Sequence, residues 1–196
     1  IHKVGLSRYT EETFVVADGR TLKFNHENLF MMALNWGTAT SRDAIRDGYS
    51  ITDADVNTML ATLTPAQLKM VNATWKVNES MWPQLAAASM TRYGVVPAKL
   101  DAVPFTVNGV EMTGGHMRLF YKSYKVEVKG EQQAASTRAN LMPNKASSLH
   151  ERVGSDSMEV LLDRTNIVTA IEENLHFIAF AETSNHIRRL INAKDI

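Results

Sequence analysis

One helix start constrains the fold of this chain more than any other feature of its sequence. The run Thr64-Pro65-Ala66-Gln67 supplies a capping hydroxyl, a proline at the first helical position and a glutamine three residues after the cap, the residues of a capping box. An apolar stripe follows at helical spacing, formed by Leu68, Val71, Trp75, Trp82 and Leu85. Pro83 removes one amide from the helical hydrogen-bond ladder. We therefore predict a helix that begins at Pro65, kinks or restarts near Met81 and runs to about Arg92.

Two glycine-containing dipeptides predict β-hairpins. Asp18-Gly19 separates two β-rich runs between residues 13 and 24 and readily takes the positive φ angles of a tight turn. Asn108-Gly109, the strongest two-residue hairpin signal, lies between two short runs within residues 105–112. Each dipeptide is expected to join a short antiparallel pair of strands.

Three more helices are expected in the amino-terminal half. Asn25 can cap a helix that Gly37 ends or interrupts, Gly48 is expected to close a short helix over 40–48, and Thr52 or Asp53 caps the next helix. The apolar faces of the first and third of these helices are predicted to be Leu29, Met32, Ala33 and Trp36, then Val56, Met59, Leu60 and Leu63.

The carboxy-terminal part is expected to contain a short strand over 160–162 and two helices. Asp163 or Thr165 can cap the first of these helices, and the second covers 183–193. The apolar residues predicted to form their core stripes are Ile167, Ile171, Leu175, Ile178 and Ala179, then Ile187, Leu190 and Ile191.

These elements predict an α+β fold, a mainly helical single domain with two short β-hairpins and a long irregular arm. Residues 1–129 would form the helical domain with its hairpins, and residues 158–196 would add a strand and helices to the same domain. Between them, 130–157 is rich in Gln, Ala, Ser, Asn and Lys with little periodic apolar content. Such a composition is typical of an exposed loop or an extended arm.

Composition excludes several classes of function. Lys plus Arg equals Asp plus Glu at 21 each, so net charge gives no long-range attraction to nucleic acid or anionic lipid. No cysteine is present, which excludes disulfides, zinc–thiolate sites and thiol nucleophiles. The longest nearly apolar run, 177–181, is too short to span a bilayer. Because the chain starts at Ile1 without a signal-peptide pattern, it is expected to be a piece of a longer polypeptide.

Reactive side chains show no spacing typical of a catalytic, cofactor or metal site. The histidines considered as ligands are His26, His116, His150, His176 and His186. Glu172, His176 and Glu182 share one predicted helix without a second histidine one turn away, so an ordinary surface pair explains them better than a metal site. Gly109, Gly114 and Gly115 lack the spacing of a phosphate loop. We therefore assign no catalytic, cofactor-binding or metal-binding residue.

One basic and aromatic stretch is the candidate nucleic-acid contact. Its residues are Arg118, Tyr121, Lys122, Tyr124 and Lys125. Cations can bind phosphates while aromatic rings stack on bases, although Glu127 and Glu131 dilute the positive charge. A solvated strand or a protein-binding edge is the favoured interpretation, because residues of these types are common on any exposed hairpin.

A series of short motifs extends over most of the chain from about Phe14. The motifs are Ala33-Leu34-Asn35-Trp36-Gly37, Arg46-Asp47-Gly48-Tyr49, Leu63-Thr64-Pro65, Trp75, Met81-Trp82-Pro83, Gly94-Val95-Val96-Pro97, Val103-Pro104-Phe105, Gly114-Gly115, Arg152-Val153-Gly154 and Asn174-Leu175-His176-Phe177. In order and spacing they resemble a recurrent region of phage large polyvalent proteins. The chain departs from that pattern at Gly114-Gly115-His116-Met117-Arg118, where related sequences tend to carry a tyrosine and a proline.

This resemblance implies a biological context and transfers no catalytic residue. The family consists of very long proteins of tailed phages and mobile elements, some carried inside the virion and ejected with the DNA, including giant virion RNA polymerases. The leading hypothesis is a non-catalytic structural or assembly module of an internal or ejected virion protein, partnered by other virion proteins or other domains of its parent chain. The alternative is a nucleic-acid-binding module of a virion RNA polymerase or a DNA-ejection complex.

Overall fold

The structure, a computed structural model, describes residues 5–6, 9–122 and 158–192. Its helices are α1 (His26–Asn35), α2 (Ala39–Tyr49), α3 (Asp53–Leu60), α4 (Pro65–Ser80), α5 (Trp82–Tyr93), α6 (Thr165–Ala179) and α7 (Ala181–Asn192). Its strands are β1 (Glu11–Val15), β2 (Thr21–Asn25), β3 (Phe105–Val107) and β4 (Val110–Met112). They form two separate antiparallel pairs, β1–β2 and β3–β4. The predicted α+β class is confirmed, while the predicted arm over 130–157 lies outside the described residues.

Backbone contacts group the described residues into two compact units, where the sequence led us to expect one domain. Unit 1 contains 5–80, 100–122 and 158–168, and unit 2 contains 81–99 and 169–192. The first boundary falls between Ser80 and Met81, where α4 ends and α5 begins with Pro83 in its first turn. The proposed domain limits at 130 and 158 stay predictions.

Unit 1 is built around α1. Its six consecutive residues Leu29 to Leu34 are fully buried, because α1 contacts α2, α3, α4 and β2. Asn25 caps the helix as predicted, accepting from the Asn28 amide at 2.8 Å while the Asn28 side chain accepts from the Asn25 amide at 3.2 Å. All four residues of the predicted apolar face of α1 are buried, but so are the residues between them, so the periodic pattern marks only part of the buried surface of this helix.

The two hairpins form as predicted, but their turns differ. Asn108 and Gly109 both have positive φ, at 50° and 72°, as a two-residue turn of the mirror-image type requires. At the first hairpin only Gly19 has positive φ, and Val16 both donates to Arg20 and accepts from Gly19. This is a three-residue turn with a glycine bulge, so the expected positive φ at Asp18 was wrong.

Gly48 does not close α2, contrary to the sequence prediction. It lies inside the last turn, and the helix ends at Ser50, which takes the left-handed conformation at φ 51°. A Cβ at Gly48 would meet the Met158 carbonyl oxygen at 2.6 Å. Gly48 therefore allows a distant backbone segment to approach the helix, a requirement that α2 alone cannot reveal.

The α4 capping box is present as predicted. Gln67 Oε1 accepts from the Thr64 amide at 2.8 Å, and Thr64 Oγ1 accepts from the Gln67 amide at 3.3 Å. Thr52 and Asp55 form the same reciprocal pair at the start of α3. Gly94, with φ 74°, ends α5 one residue after Tyr93.

Segment 158–164 replaces the strand predicted over 160–162. Within it Val160 forms a single antiparallel bridge with Tyr121. Side chains of the first two helices hold the segment: the Tyr49 hydroxyl donates to the Val160 carbonyl at 2.6 Å, and Asn28 Nδ2 donates to the Leu162 carbonyl at 2.7 Å. Arg164 pairs with the buried carboxylate of Glu27 at 3.5 Å. Two backbone bonds to 120–122, between the Lys122 amide and the Glu159 carbonyl and between the Leu161 amide and the Phe120 carbonyl, act together with these side chains to fix this part of unit 1.

Both carboxy-terminal helices exist, but the predicted stripe of α7 was wrong and that of α6 was only partly right. Ile167 and Ile171 are half-buried, and Ile178 packs against the buried cluster of unit 2. In unit 2, Leu175 is 53% exposed whereas Phe177 is 3% exposed. The buried residues of α6 are Asn166, Ala170, Asn174 and Phe177. Because asparagine counts as polar, a hydropathy pattern does not identify this face as buried. The predicted stripe of α7, formed by Ile187, Leu190 and Ile191, is exposed throughout. Phe177 and Ala181 instead pack with Leu85 and Ala88 of α5.

No helix within the described ranges combines the length and hydropathy needed to cross a membrane.

Candidate functional site

One tightly packed point of unit 1 joins Gly37, Trp75 and Gly115. A Cβ on Gly37 would lie 2.2 Å from the Gly115 carbonyl oxygen, and a Cβ on Gly115 would lie 2.6 Å from the Trp75 ring. The Gly37 carbonyl accepts from the amides of Val103 and Gly115, at 2.9 and 3.1 Å. Trp75 Nε1 donates to the Leu34 carbonyl at 3.0 Å. This glycine–tryptophan junction accounts for Gly115. Gly114 has a positive φ and a Cβ on it would meet the Val103 backbone at 2.8 Å, so close packing adds to the turn that the sequence favoured over a phosphate loop.

Arg42 holds the same region from the side of α2. Its guanidinium donates to the carbonyls of Trp36 and Val103, at 2.8 and 2.7 Å, and lies over the rings of Trp36 and Phe105. Burial lowers the pKa of Arg42 from its ordinary value. Arg42 was not predicted from the sequence, because the carbonyls and rings that hold it come from segments far apart in the chain.

The candidate nucleic-acid stretch is only partly described. Arg118, Tyr121 and Lys122 lie on an extended segment of unit 1, whereas Tyr124 and Lys125 lie outside the described residues. Arg118 and Lys122 make side-chain contacts within unit 1, and Tyr121 is held through its backbone. Arg118 lies over the Phe120 ring, with its Cζ 5.2 Å from the centroid, and Tyr121 bridges to Val160.

Lys122 is the most exposed of these three residues, yet its ammonium group is already paired within unit 1. Its Nζ lies 2.6 Å from Glu159 Oε2 and 5.3 Å from the centroid of the Tyr49 ring. Its amide donates to the Glu159 carbonyl at 2.9 Å. A phosphate would therefore have to compete with a carboxylate for this ammonium group.

His26 belongs to a polar network at the start of α1. Its Nε2 lies 2.8 Å from Glu12 Oε1, and its Nδ1 lies 3.4 Å from Gln67 Nε2. Because the Gln67 amide nitrogen can only donate, Nδ1 is the acceptor and Nε2 carries the proton toward Glu12. A carboxylate–imidazole pair can orient a base, but Gln67 also caps α4 and donates to Gly5. The network thus ties three segments of unit 1 together.

The remaining histidine candidates that the structure describes are not grouped at a metal site. His176 stacks on Phe180, with 4.4 Å between ring centroids, while Glu172 and Glu182 are exposed on α6 and α7. In 5–6, 9–122 and 158–192, no three histidine or acidic side chains are grouped closely enough to hold a metal ion. His150 lies outside these ranges.

Asp18 and Asp55 are hydrogen-bonded carboxylates near the β1–β2 turn. Bonding from the Arg20 amide and side chain lowers the pKa of Asp18. Hydrogen bonds from the Thr52 hydroxyl and amide, followed by the Ala17 amide, lower the pKa of Asp55. Asp55 Oδ1 accepts from Ala17 at 3.0 Å and so links the first hairpin to α3.

Arg42 donates to two carbonyls, whereas Arg92 of unit 2 has a buried guanidinium nitrogen without an acceptor. It is 5% exposed, and its Cζ lies 5.4 Å from the Tyr93 ring centroid and 5.5 Å from that of Phe177. Its Nε is buried and has no hydrogen-bond partner. From the sequence, Arg92 was predicted only as a helix end, since no spacing pattern indicates an arginine held between aromatic rings.

Comparison of the chain with known protein families, with characterised proteins and with solved structures gave no match.

Proposed function

We propose that this chain is a non-catalytic structural and assembly module of a large phage virion protein, carried inside the particle or ejected with the DNA. The observation that supports a structural role is the use of polar side chains in unit 1. Tyr49, Trp75 and Arg42 each donate to a backbone carbonyl distant in sequence. The motif resemblance to phage large polyvalent proteins supplies the virion context.

In unit 1, carboxylate and amide side chains of the kinds that enzymes use are paired or hydrogen-bonded within the fold. The buried Glu27 carboxylate meets Arg164, and Asn72 binds both the Glu111 carbonyl and the Thr113 amide. A buried carboxylate that loses its partner is costly, so the Glu27–Arg164 pair holds the irregular segment 158–164. The more exposed bonds of Asn72 join α4 to β4 and to the residue after it. A module that presents fixed loops suits assembly with neighbouring domains.

The virion location is tested on purified particles of a phage that encodes this chain within a larger protein. We expect mass spectrometry to find peptides of residues 1–196 in nuclease-treated particles, protected from added protease until the genome is released. Particles of a phage lacking the gene provide the control. Detection of the chain only in infected cells, and never in particles, would overturn the proposal.

A nucleic-acid-binding role is the second candidate, supported by Arg118, Tyr121 and Lys122 lying on one extended segment. It ranks lower because Lys122 already pairs with Glu159. Fluorescence anisotropy with a single-stranded oligonucleotide at low and high salt tests it. Phosphate contacts require an affinity that falls as salt rises, and this fall should shrink in Arg118→Gln but not in the control Lys69→Gln on α4.

A further inference from the structure

One face of α6 and α7 carries large side chains that are exposed on unit 2. Only Phe180 separates the two helices. Its amide donates to the His176 carbonyl at 3.1 Å, and its carbonyl accepts from the Ser184 amide at 2.9 Å. Both bonds join residues four apart in the chain, so the helical path continues across the junction. The exposed side chains of the two helices therefore form one stripe.

This stripe has the spacing of a coiled-coil seam. Its members are all exposed and follow one another at intervals of four, three, four and three residues: His176, Phe180, Thr183, Ile187 and Leu190. Such an alternation is the heptad pattern of side chains that meet a second helix. Ile187 is 49% exposed and Leu190 64% exposed, while Phe180 stacks on His176. We call these five residues the α6–α7 seam.

The inner side of α7 is already packed within unit 2. Ala181 packs with Leu85 and Ala88 of α5. Arg188 Nη1 donates to the Arg92 carbonyl at the end of α5. Two heptads are too short to hold isolated helices together, because ordering each helix costs conformational entropy. Unit 2 has already ordered α7, so a short seam can associate without that loss.

Charges are divided along the seam. The acidic residues of the region come first, at Glu172, Glu173 and Glu182, and its arginines come last, at Arg188 and Arg189. An antiparallel second copy would bring Glu172 near the last turn of its partner, and the two-fold axis would form this contact twice. A parallel copy would place like charges together. An anionic lipid surface attracts basic helices and would be repelled by the glutamates.

We propose that the α6–α7 seam is an antiparallel contact between two copies of this chain. The inference rests on the proposed assembly function and gives it a partner, a second copy of the module. One helix seam is smaller than a standard interface of about 1,200–2,000 Å². The contact is therefore weak in solution, with a Kd of about 10 µM to 1 mM, and is strengthened where copies are held close together.

Sedimentation equilibrium of residues 1–196, at protein concentrations up to about 1 mM, measures this association. Leu190→Ser should weaken it by about tenfold or more, since each dimer loses two leucines from the contact. Leu175→Ser is the matched control, because it removes a similarly exposed leucine that lies outside the seam, and it should leave the association unchanged. Equal losses in the two variants, or a wild-type chain that stays monomeric, would overturn the contact.

Two charge reversals test the antiparallel direction. Glu172→Lys and Arg189→Glu should each weaken self-association severalfold, because each places like charges together at both ends of the two-fold contact. Mixed in equal amounts, the two variants should form a heterodimer that is tighter than either homodimer, since opposite charges then meet at both ends. A mixture that stays as weak as each variant alone would show that the antiparallel arrangement is wrong.

Other occupants of the seam and failure of the proposed function give different results. Binding to phosphatidylglycerol vesicles by a chain that stays monomeric would assign the seam to a lipid surface and overturn self-association. Dimers of a chain that is absent from particles would remove the virion function and keep the contact. A chain that is present in particles and strictly monomeric in solution would keep the function and remove the contact.

Discussion

Gly37 and Gly115 bring two backbone segments closer together than side chains would permit. Neither contact follows from the local sequence, because each glycine needs its space for a residue far away in the chain. Trp75 fills the volume beside them and uses its single N–H on the Leu34 carbonyl. At this junction the identity of a residue depends on what surrounds it, and substitutions should have effects that hydropathy alone would not predict.

Replacement of Gly37 by alanine should destabilise unit 1 by about 3 kcal/mol or more, because the added methyl group would overlap the Gly115 backbone. Urea unfolding followed by tryptophan fluorescence measures the change. Gly19→Ala is the control, since its site is open but has φ +84°, and it should cost only about 1–2 kcal/mol. Equal losses in the two variants would contradict the close contact at Gly37.

Asp55 provides a pH-dependent contribution to stability. Its pKa lies below the ordinary value of 3.8 because the Thr52 hydroxyl and amide bind its carboxylate. The stabilisation is therefore complete above about pH 3.8 and is lost as pH falls through the lower pKa of the folded protein.

Thr52→Ala should raise the pKa of Asp55 toward 3.8, since it removes the hydroxyl donor. An NMR titration of the Asp55 carboxyl carbon measures the shift. Thr58→Ala serves as the control, because the Thr58 hydroxyl binds the Ala54 carbonyl on the same helix and should leave Asp55 unchanged. An unaltered Asp55 titration in Thr52→Ala would show that the hydroxyl is not the cause.

Elements whose geometry is set by residues close to each other in the sequence were predictable from it. Caps at Asn25, Thr52 and Thr64 place their helices correctly because the donors and acceptors lie within three residues of each other. The β3–β4 turn follows from Asn108-Gly109 for the same reason. Faces of helices are set by distant partners, and α6 turns two asparagines inward, so its apolar stripe misled the prediction.

The same distinction applies to the candidate sites. Arg118 and Lys122 were found by composition, but Glu159, which pairs with Lys122, comes from a segment far along the chain. Arg92 was missed because its burial against the Phe177 ring, with no acceptor for Nε, arises only in the folded unit 2. Charge can be read from a sequence, whereas the distance to the opposite charge cannot.

A pair of substitutions in α6 decides between the predicted and observed faces. Phe177→Ala should cost about 3–5 kcal/mol, because it empties a buried site next to Leu85. Leu175→Ala should cost less than about 0.5 kcal/mol, since Leu175 is mostly exposed. Thermal unfolding of both variants measures the difference, and the reverse order would restore the stripe predicted from the sequence.

At the scale of the molecule, the two units differ in how their helices are buried. In unit 1, α1 is enclosed on all sides and large side chains such as Phe30 and Trp75 have almost no exposed surface. In unit 2, Leu85, Ala88, Phe177 and Ala181 form a small buried cluster, while α7 leaves three large apolar side chains exposed. Few buried contacts lower the free energy of local opening.

Amide hydrogen exchange should therefore be slowest in α1 and fastest in α7 among the described helices. NMR-detected exchange, residue by residue, measures the order. The exposed positions of α7 make its hydrogen bonds accessible to solvent, whereas α1 opens only when unit 1 loses its core. Equal protection of α1 and α7 would mean that the chain unfolds as one cooperative body.

Segment 158–164 also affects how the protein is made. Tyr49 lies 111 residues before Val160, whose carbonyl it binds, and Asn28 lies 134 residues before Leu162. Synthesis proceeds from the amino end. The nascent chain therefore carries both side chains out of the ribosome long before their acceptors are translated. Water serves as their partner during that interval, and a product released before residue 158 lacks the carbonyls that Tyr49 and Asn28 bind in the finished protein.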